Sequence, residues 1–215
     1  MIQGWVLALL SKSKIWTKGQ APTLQDNSLY QLIIQTQPNK TEKAACTLHY
    51  NRAISSHPNT MNTACPCQSS LPYEQCCAPL HRQHAHAQTA EQLMRSRYAA
   101  YATQNIAYIV QTTVPAQQHL LDTASIATWS EQATWLGLDV LQHIAHIKPH
   151  HAQVEFIAHF VENGQPQQHH ECSAFVQQNG RWYFIDSTVP LPSFKAACIC
   201  GSARKFKACC GQFFR

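Results

Sequence analysis

The chain has 215 residues, enough for one medium domain with small appendages and a buried core of useful size. Charged residues make up 13% and hydrophobic residues 45%, without an excess of Gly or Pro, which excludes a disordered charged tail and a fibrous repeat. The formal charge of +5 is uneven: residues 1–60 carry six Lys/Arg against two acids and the remainder ten against nine, so bulk nucleic-acid binding through overall charge is not implied.

In chain order, residues 1–60 read as a poorly ordered N-terminal extension. Ser, Thr, Asn, Gln and Pro are mixed there with little periodicity, and only Leu29–Ile34 has the look of a short strand or helical turn. Met61 stands just before the first dense motif, so the extension is expected either to be absent from the native protein or to be a loosely ordered leader. No apolar run approaches the roughly 18 residues that span a bilayer, so no membrane insertion is expected. Trp5–Leu10 lacks the basic cluster and cleavage site of a secretory signal, which points to the cytoplasm.

Ten cysteines then carry the strongest signal. Cys65-Pro66-Cys67 is followed after eight residues by Cys76-Cys77, and Cys198-Ile199-Cys200 after eight residues by Cys209-Cys210. Ser69 matches Ser202, and Tyr73 matches Phe206, at equal offsets within the two motifs. Four thiolates brought together by a tight turn and a hairpin return suit a closed tetrahedral zinc site with sulfurs about 2.3 Å from the ion. Loops this short bury almost no apolar core, so the metal must be their main stabiliser. The spacing therefore predicts two zinc ions, held by Cys65, Cys67, Cys76 and Cys77 and by Cys198, Cys200, Cys209 and Cys210. Iron–sulfur ligation and disulfide pairing are the competing readings; the second needs an oxidising compartment that no export signal suggests. Cys46 and Cys172 lie outside both groups.

Between the motifs, Thr89-Ala90-Glu91-Gln92 predicts a capping box, and Met94, Tyr98, Tyr101 and Ala102 follow at helical spacing. Ile106, Ile109 and Val110 predict a second short helix ending before Pro115, and a third is expected over Thr123–Leu136. Leu138–Ile147 reads as a strand. Val154, Phe156, Ala158 and Phe160 then alternate with Gln153, Glu155, Ile157 and His159, as in a half-buried strand. Asn163-Gly164 and Asn179-Gly180 are hairpin signals, and Trp182, Phe184 and Asp186 alternate with Tyr183 and Ile185 in a last strand. Helices followed by an antiparallel meander define an α+β class.

The thirteen histidines form no recognisable motif. Strand periodicity sends His143 and His146 to opposite faces, and His150-His151 and His169-His170 are expected to be exposed beside turns. No nucleophile elbow, phosphate-cradling Gly loop or H-E-x-x-H is present, so an enzyme is unsupported, though not ruled out.

The C-x-C-x8-C-C pattern resembles the SEC-C motif, the zinc knuckle at the C-terminus of the SecA translocation motor. Two such motifs resemble the YchJ family of bacterial proteins when combined with Leu93-Met94-Arg95-Ser96-Arg97-Tyr98-Ala99-Ala100-Tyr101, Trp135-Leu136-Gly137-Leu138, Val154-Glu155-Phe156 and Arg181-Trp182-Tyr183. The similarity covers residues 61–215. It implies a zinc knuckle at 61–82, a nuclear transport factor 2-like domain at 83–194 and a second knuckle at 195–215. It also implies a cone of helices packed in a curved antiparallel sheet, with a cavity as the usual ligand site; Arg97, Tyr98, Trp135 and His159 are the candidates to line it. The sequence departs from the family where Gln68 replaces the Gly expected after the second cysteine, and where His159 and Cys172 stand in place of arginines.

Charge separates the two knuckles. Residues 65–77 hold only Glu74, whereas residues 195–215 hold Lys195, Arg204, Lys205, Lys207 and Arg215 and no acid. Basic residues interleaved with aromatics on a metal-held loop suit an anionic partner, such as the ribosome, RNA or an acidic protein surface. In SecA the similar knuckle contacts the SecB chaperone and the ribosome, which the resemblance extends to a docking role here. Lys205, Lys207, Phe213 and Phe214 are the expected contacts. The resulting expectation is a non-catalytic, zinc-stabilised binding or adaptor protein. The alternative is a small-molecule-binding protein or enzyme using the cone, with its ligand unknown.

Overall fold

The computed structural model describes residues 63–214, so the expected N-terminal extension lies outside the described residues. After the first cysteine loop comes a single helical turn, α1 (Ala78–His81), then α2 (Ala90–Ala102), α3 (Ile106–Gln111) and α4 (Thr123–Gln132). Four strands follow: β1 (Thr134–Lys148), β2 (His151–Glu162), β3 (Gln165–Gln178) and β4 (Arg181–Ile185). They form one antiparallel meander in the order β1-β2-β3-β4.

Side-chain caps start the three longer helices. The Thr89 Oγ1 accepts from the Gln92 backbone N–H at 3.0 Å, opening α2. The Gln92 side chain returns to the backbone N–H of Gln88 (2.7 Å), one residue earlier than a standard capping box would place it. Asn105 caps α3 by accepting from Tyr108 N–H, and Asp122 caps α4 by accepting from Ser125 N–H.

Helix α4, expected over Thr123–Leu136, is shorter than its sequence suggests. It ends at Gln132, and Ala133 is already extended. Trp135 and Leu136 belong to β1, whose pairing with β2 begins at Thr134 opposite Val161. Tertiary packing decides this boundary. On a strand, Trp135 reaches Tyr98, Trp129 and Phe160, with ring centroids 5.5, 4.8 and 5.7 Å away, and its Nε1–H donates to the Ser130 carbonyl.

Both Asn-Gly hairpins close as read. Asn163 and Gly164 have φ of 51° and 73°, and Asn179 and Gly180 have 49° and 78°. Two consecutive positive φ angles are what a primed two-residue turn demands. Ala152, Val154, Phe156, Ala158 and Phe160 of β2 are buried, while the residues between them are half-buried. The buried set packs with Leu93, Met94, Tyr98 and Tyr101 of α2, and with Ile126 and Trp129 of α4, in the main core.

Residues of β3 and β4 alternate between two cores. Phe175, Trp182 and Phe184 enter the main core, whereas Ala174, Val176 and Ile185 enter a second one with Phe206 and the C-terminal cysteines. The sheet thus carries α2 on one face and the second cysteine loop on part of the other. Among the described residues, no helix is long and apolar enough to cross a membrane.

Candidate metal centres

The two loops are built alike. In the first, Cys65 N–H donates to Leu71 O, Gln68 N–H to Cys65 O, Tyr73 N–H to Thr63 O, and Cys76 N–H to Tyr73 O. In the second, Cys198 N–H donates to Arg204 O, Gly201 N–H to Cys198 O, Phe206 N–H to Ala196 O, and Cys209 N–H to Phe206 O. Each loop is pinned by an isolated antiparallel bridge, Ala64 with Pro72 and Ala197 with Lys205. Left-handed backbone recurs at matching places: Gln68 and Ser70 in the first loop, Gly201 and Ala203 in the second. The Gly expected after the second cysteine is therefore replaced by a Gln that adopts the same φ.

Cys65, Cys67, Cys76 and Cys77 bring their sulfurs within 4.8 Å of one another. Cys67 and Cys76 are 3.5 Å apart, and Cys76 and Cys77 3.8 Å. A tetrahedron with bonds of about 2.3 Å has edges of about 3.8 Å, so these residues fit one four-coordinate ion. The Ser69 hydroxyl is 3.0 Å from the Cys76 sulfur, and the Ser202 hydroxyl 3.4 Å from the Cys209 sulfur. These matched serines stabilise the negative charge that a metal-bound thiolate retains.

Around the second loop, the group of ligand atoms lying within 4.8 Å of one another is His151, Cys200, Cys209 and Cys210. Cys198 is outside that group, although its sulfur is 3.4 Å from that of Cys200. His151 is the first residue of β2, and it is buried rather than exposed beside a turn, correcting the sequence expectation. His169 is also buried, in mid-strand on β3, where its Nε2 meets Glu171 at 2.8 Å; His150 and His170 are exposed.

Electrostatics favour a cation in both places. In each cage one sulfur gathers hydrogen bonds from its neighbours, which favour its thiolate form. Bonds from Cys65 and Cys77 pull Cys67 far below the ordinary thiol range, and a bond from Cys210 pulls Cys200 down to about 2. The donors are pushed the other way: Cys65 rises to about 12, chiefly through its bond to Cys67, and Cys210 rises through its bond to Cys200. A divalent ion that displaces the remaining protons relieves this clustering of sulfur charge.

The other expected site residues are scattered. Arg97, Tyr98 and Trp135 line a small pocket between α2 and the sheet, with a volume of about 20 Å³. His159 is not among its lining residues; it lies on the outer side of β2, with Nε2 2.7 Å from the Asp139 carboxylate. Arg97 is buried, and its guanidinium donates to Ile109 O, Thr112 Oγ1 and Thr113 Oγ1 while stacking 4.5 Å over the Phe184 ring. Lys205 and Lys207 are exposed. Phe213 and Phe214, the expected partner contacts, are half-buried, Phe213 stacked on the His151 ring at 5.4 Å and Phe214 on Phe206 at 6.3 Å.

Sequence reasoning missed His151 because the cysteine spacing says nothing about a side chain some fifty residues upstream. It also missed Phe194, an aromatic beside Lys195 that is 48% exposed.

Comparison with known proteins agrees with this architecture. Residues 89–187 match the family described as YchJ, middle NTF2-like domain, and residues 61–79 and 195–212 match the SEC-C motif. A UPF0225 protein of Actinobacillus succinogenes is 50% identical over 153 residues, which is 71% of this chain and 99% of that protein. A UPF0225 protein of Haemophilus influenzae is 52% identical over 149 residues, 69% of this chain and 92% of its own length. The crystal structure of a SEC-C motif containing protein from Psychrobacter arcticus superimposes with a TM-score of 0.67 at 42% identity, covering 72% of this chain and 98% of that one. A solution structure of a SEC-C motif containing protein from Rhodopseudomonas palustris gives 0.54 at 42% identity, covering 58% of this chain and 96% of that one. With its two metal-binding cysteine motifs flanking an NTF2-like middle domain, the chain belongs to the UPF0225 family.

Proposed function

We propose that this is a non-catalytic binding or adaptor protein of the cytoplasm, in which two zinc ions hold recognition loops and the C-terminal loop docks an anionic partner. Zinc is favoured by the donors, since soft sulfur ligands at tetrahedral spacing in a closed site suit it best. The reducing cytoplasm keeps such thiols available to metal.

The observation that carries the docking reading is the basic edge of the C-terminal loop. Lys195, Arg204, Lys205 and Lys207 are all exposed on a frame that the metal would make rigid, and residues 195–215 contain no acid. Phe194 adds an exposed aromatic surface suited to stacking. Beside Arg204 runs a groove of about 950 Å³, walled by the Pro149–His151 turn, the Gln178–Gly180 turn and the Cys200–Arg204 segment. The partner it suits is RNA, on the ribosome or free, or an acidic protein surface. The small-molecule reading fits less well: the pocket of about 20 Å³ holds on the order of one water, and the Arg97 cation is already engaged by protein groups.

The test is fluorescence anisotropy of the zinc-loaded protein against labelled single-stranded RNA and an acidic peptide over a series of salt concentrations. One of the two probes should bind, and the double variant Lys205→Glu/Lys207→Glu should weaken that binding at least tenfold. If both lysines contact phosphates, the slope of log K against log salt should also fall in magnitude by about 1.4, at about 0.7 per contact on a single strand. Equal binding by the variant and the wild type, or no affinity for either probe at low salt, overturns the docking role.

A further inference from the structure

The two cysteine motifs have the same spacing, yet the structure gives them different ligand sets. At the first, the four motif cysteines satisfy a tetrahedral ion by themselves. At the second, five donors crowd one centre, because the imidazole of His151 enters from β2. Its Nε2 lies 3.3 Å from the Cys210 sulfur and 3.6 Å from the Cys209 sulfur. A tetrahedral ion with metal–sulfur bonds of about 2.3 Å and a metal–nitrogen bond of about 2.0–2.1 Å sets that nitrogen–sulfur edge at about 3.5 Å.

The imidazole is prepared for this role from two sides. Its Nδ1 lies 2.8 Å from the Pro149 carbonyl, which can only accept, so Nδ1 carries the proton and Nε2 presents its lone pair to the sulfurs. The Phe213 ring stacks on it at 5.4 Å and 29°, holding the plane of the ring. The surroundings also favour a nitrogen ligand. Val114, Val176, Ile185 and Phe206 form one apolar cluster with these cysteines. A Zn²⁺ ion bound by three thiolates and one neutral imidazole carries one net negative charge instead of two, which costs less to bury.

We propose that His151 is the fourth ligand of the C-terminal metal, with Cys200, Cys209 and Cys210, and that Cys198 stays outside the coordination sphere. The ion then does more than close a loop: it cross-links the C-terminal motif to the start of β2 in the middle domain, while the first motif remains an all-cysteine site. This rests on the metal-binding reading above, independently of any partner.

The test uses the full chain labelled with ¹⁵N-histidine and loaded with ¹¹³Cd²⁺ in place of the native ion. Two cadmium resonances are expected, one in the all-thiolate region and one displaced upfield by a nitrogen ligand, with scalar coupling between the second and a single histidine nitrogen. In His151→Gln that coupling should vanish, and the second resonance should either disappear or move to the all-thiolate region as Cys198 takes the place of the imidazole. Cys198→Ser should keep two metal equivalents and both resonances. Two all-thiolate resonances without nitrogen coupling, together with loss of an equivalent in Cys198→Ser, overturn the ligand assignment while leaving two bound metals intact. Binding of one equivalent or none by the wild type overturns the assignment together with the two-metal reading on which it rests.

Discussion

At position 68 the first knuckle has a glutamine where its twin has Gly201, and both sit at positive φ, 57° and 68°. The left-handed conformation carries a cost for Gln that Gly does not bear, and the side chain offsets it. The Gln68 Nε2 donates to Leu136 O at 3.2 Å, and its Oε1 accepts from Leu138 N–H at 3.3 Å, so one amide bridges the backbone on both sides of Gly137. Gly137 makes this approach possible, because a Cβ there would overlap the Gln68 amide. The amide fastens the first cysteine loop to β1 at the point where the register between β1 and β2 shifts. Gly137→Ala should therefore expel the Gln68 side chain and cost about 1–2 kcal/mol, the worth of two partly exposed hydrogen bonds. In a Gln68→Ala background the same substitution should cost much less. A double-mutant cycle from urea denaturation measures the coupling, and additivity within about 0.3 kcal/mol would refute the bridge.

Among the elements, α1 is one turn long and too short to hold itself, so its position depends on His81. The Nε2–H of His81 donates to Ser96 O in α2 at 2.9 Å, which leaves Nδ1 to accept from the Tyr73 hydroxyl at 2.7 Å. Only a neutral imidazole can do both, and burial, the largest influence, lowers the His81 pKa below its ordinary 6.5. The unfolded chain then takes up this proton at a higher pH than the folded one. His81 accordingly contributes stability that is present above about 6.5 and is lost as pH falls toward its folded-state value. Thermal unfolding of the metal-loaded protein between pH 8 and 5.5 should show a shallower loss of Tm in His81→Gln than in wild type, since Gln keeps a donor for Ser96 without a titrating ring. Parallel profiles would assign the acid sensitivity to other groups. Elements with local signals were legible in the sequence: Thr89 at its cap, the two Asn-Gly turns, and the alternation along β2 all depend on neighbours within a few residues. The boundary between α4 and β1 was not, because Trp135 is settled by Phe160 and Trp129, which only the folded chain brings near. For the same reason the cysteines of both centres could be read from spacing, while His151, the inward turn of Phe213 and the outward turn of His159 could not.

At the scale of the whole molecule, the two metal centres are attached to the middle domain in different ways, and their responses to metal removal should differ. The first cage shares its small buried cluster with little beyond Ala99 of α2 and the half-buried Tyr73, so metal and a few hydrogen bonds are what hold it. The second merges with a larger apolar cluster in which Phe206, buried at 1% exposure, packs among Val114, Val176 and Ile185, with Tyr183, Leu191 and Phe214 around them. Stripping the metal removes the main support of the first loop but leaves the second with apolar burial worth roughly 1.5–3 kcal/mol for each large side chain. The main core between α2 and the sheet includes no cysteine of either motif and should stay intact. Hydrogen exchange followed by mass spectrometry, before and after chelation, separates these contributions. Peptides from residues 63–77 should lose all protection on chelation, those from 195–214 should retain part of theirs, and those from 90–185 should change little away from the Pro149–His151 turn. If the C-terminal peptides open as fully as the first loop, the second cluster is too weak to hold that segment unaided, and the basic edge proposed above for docking keeps its shape only while a metal is bound.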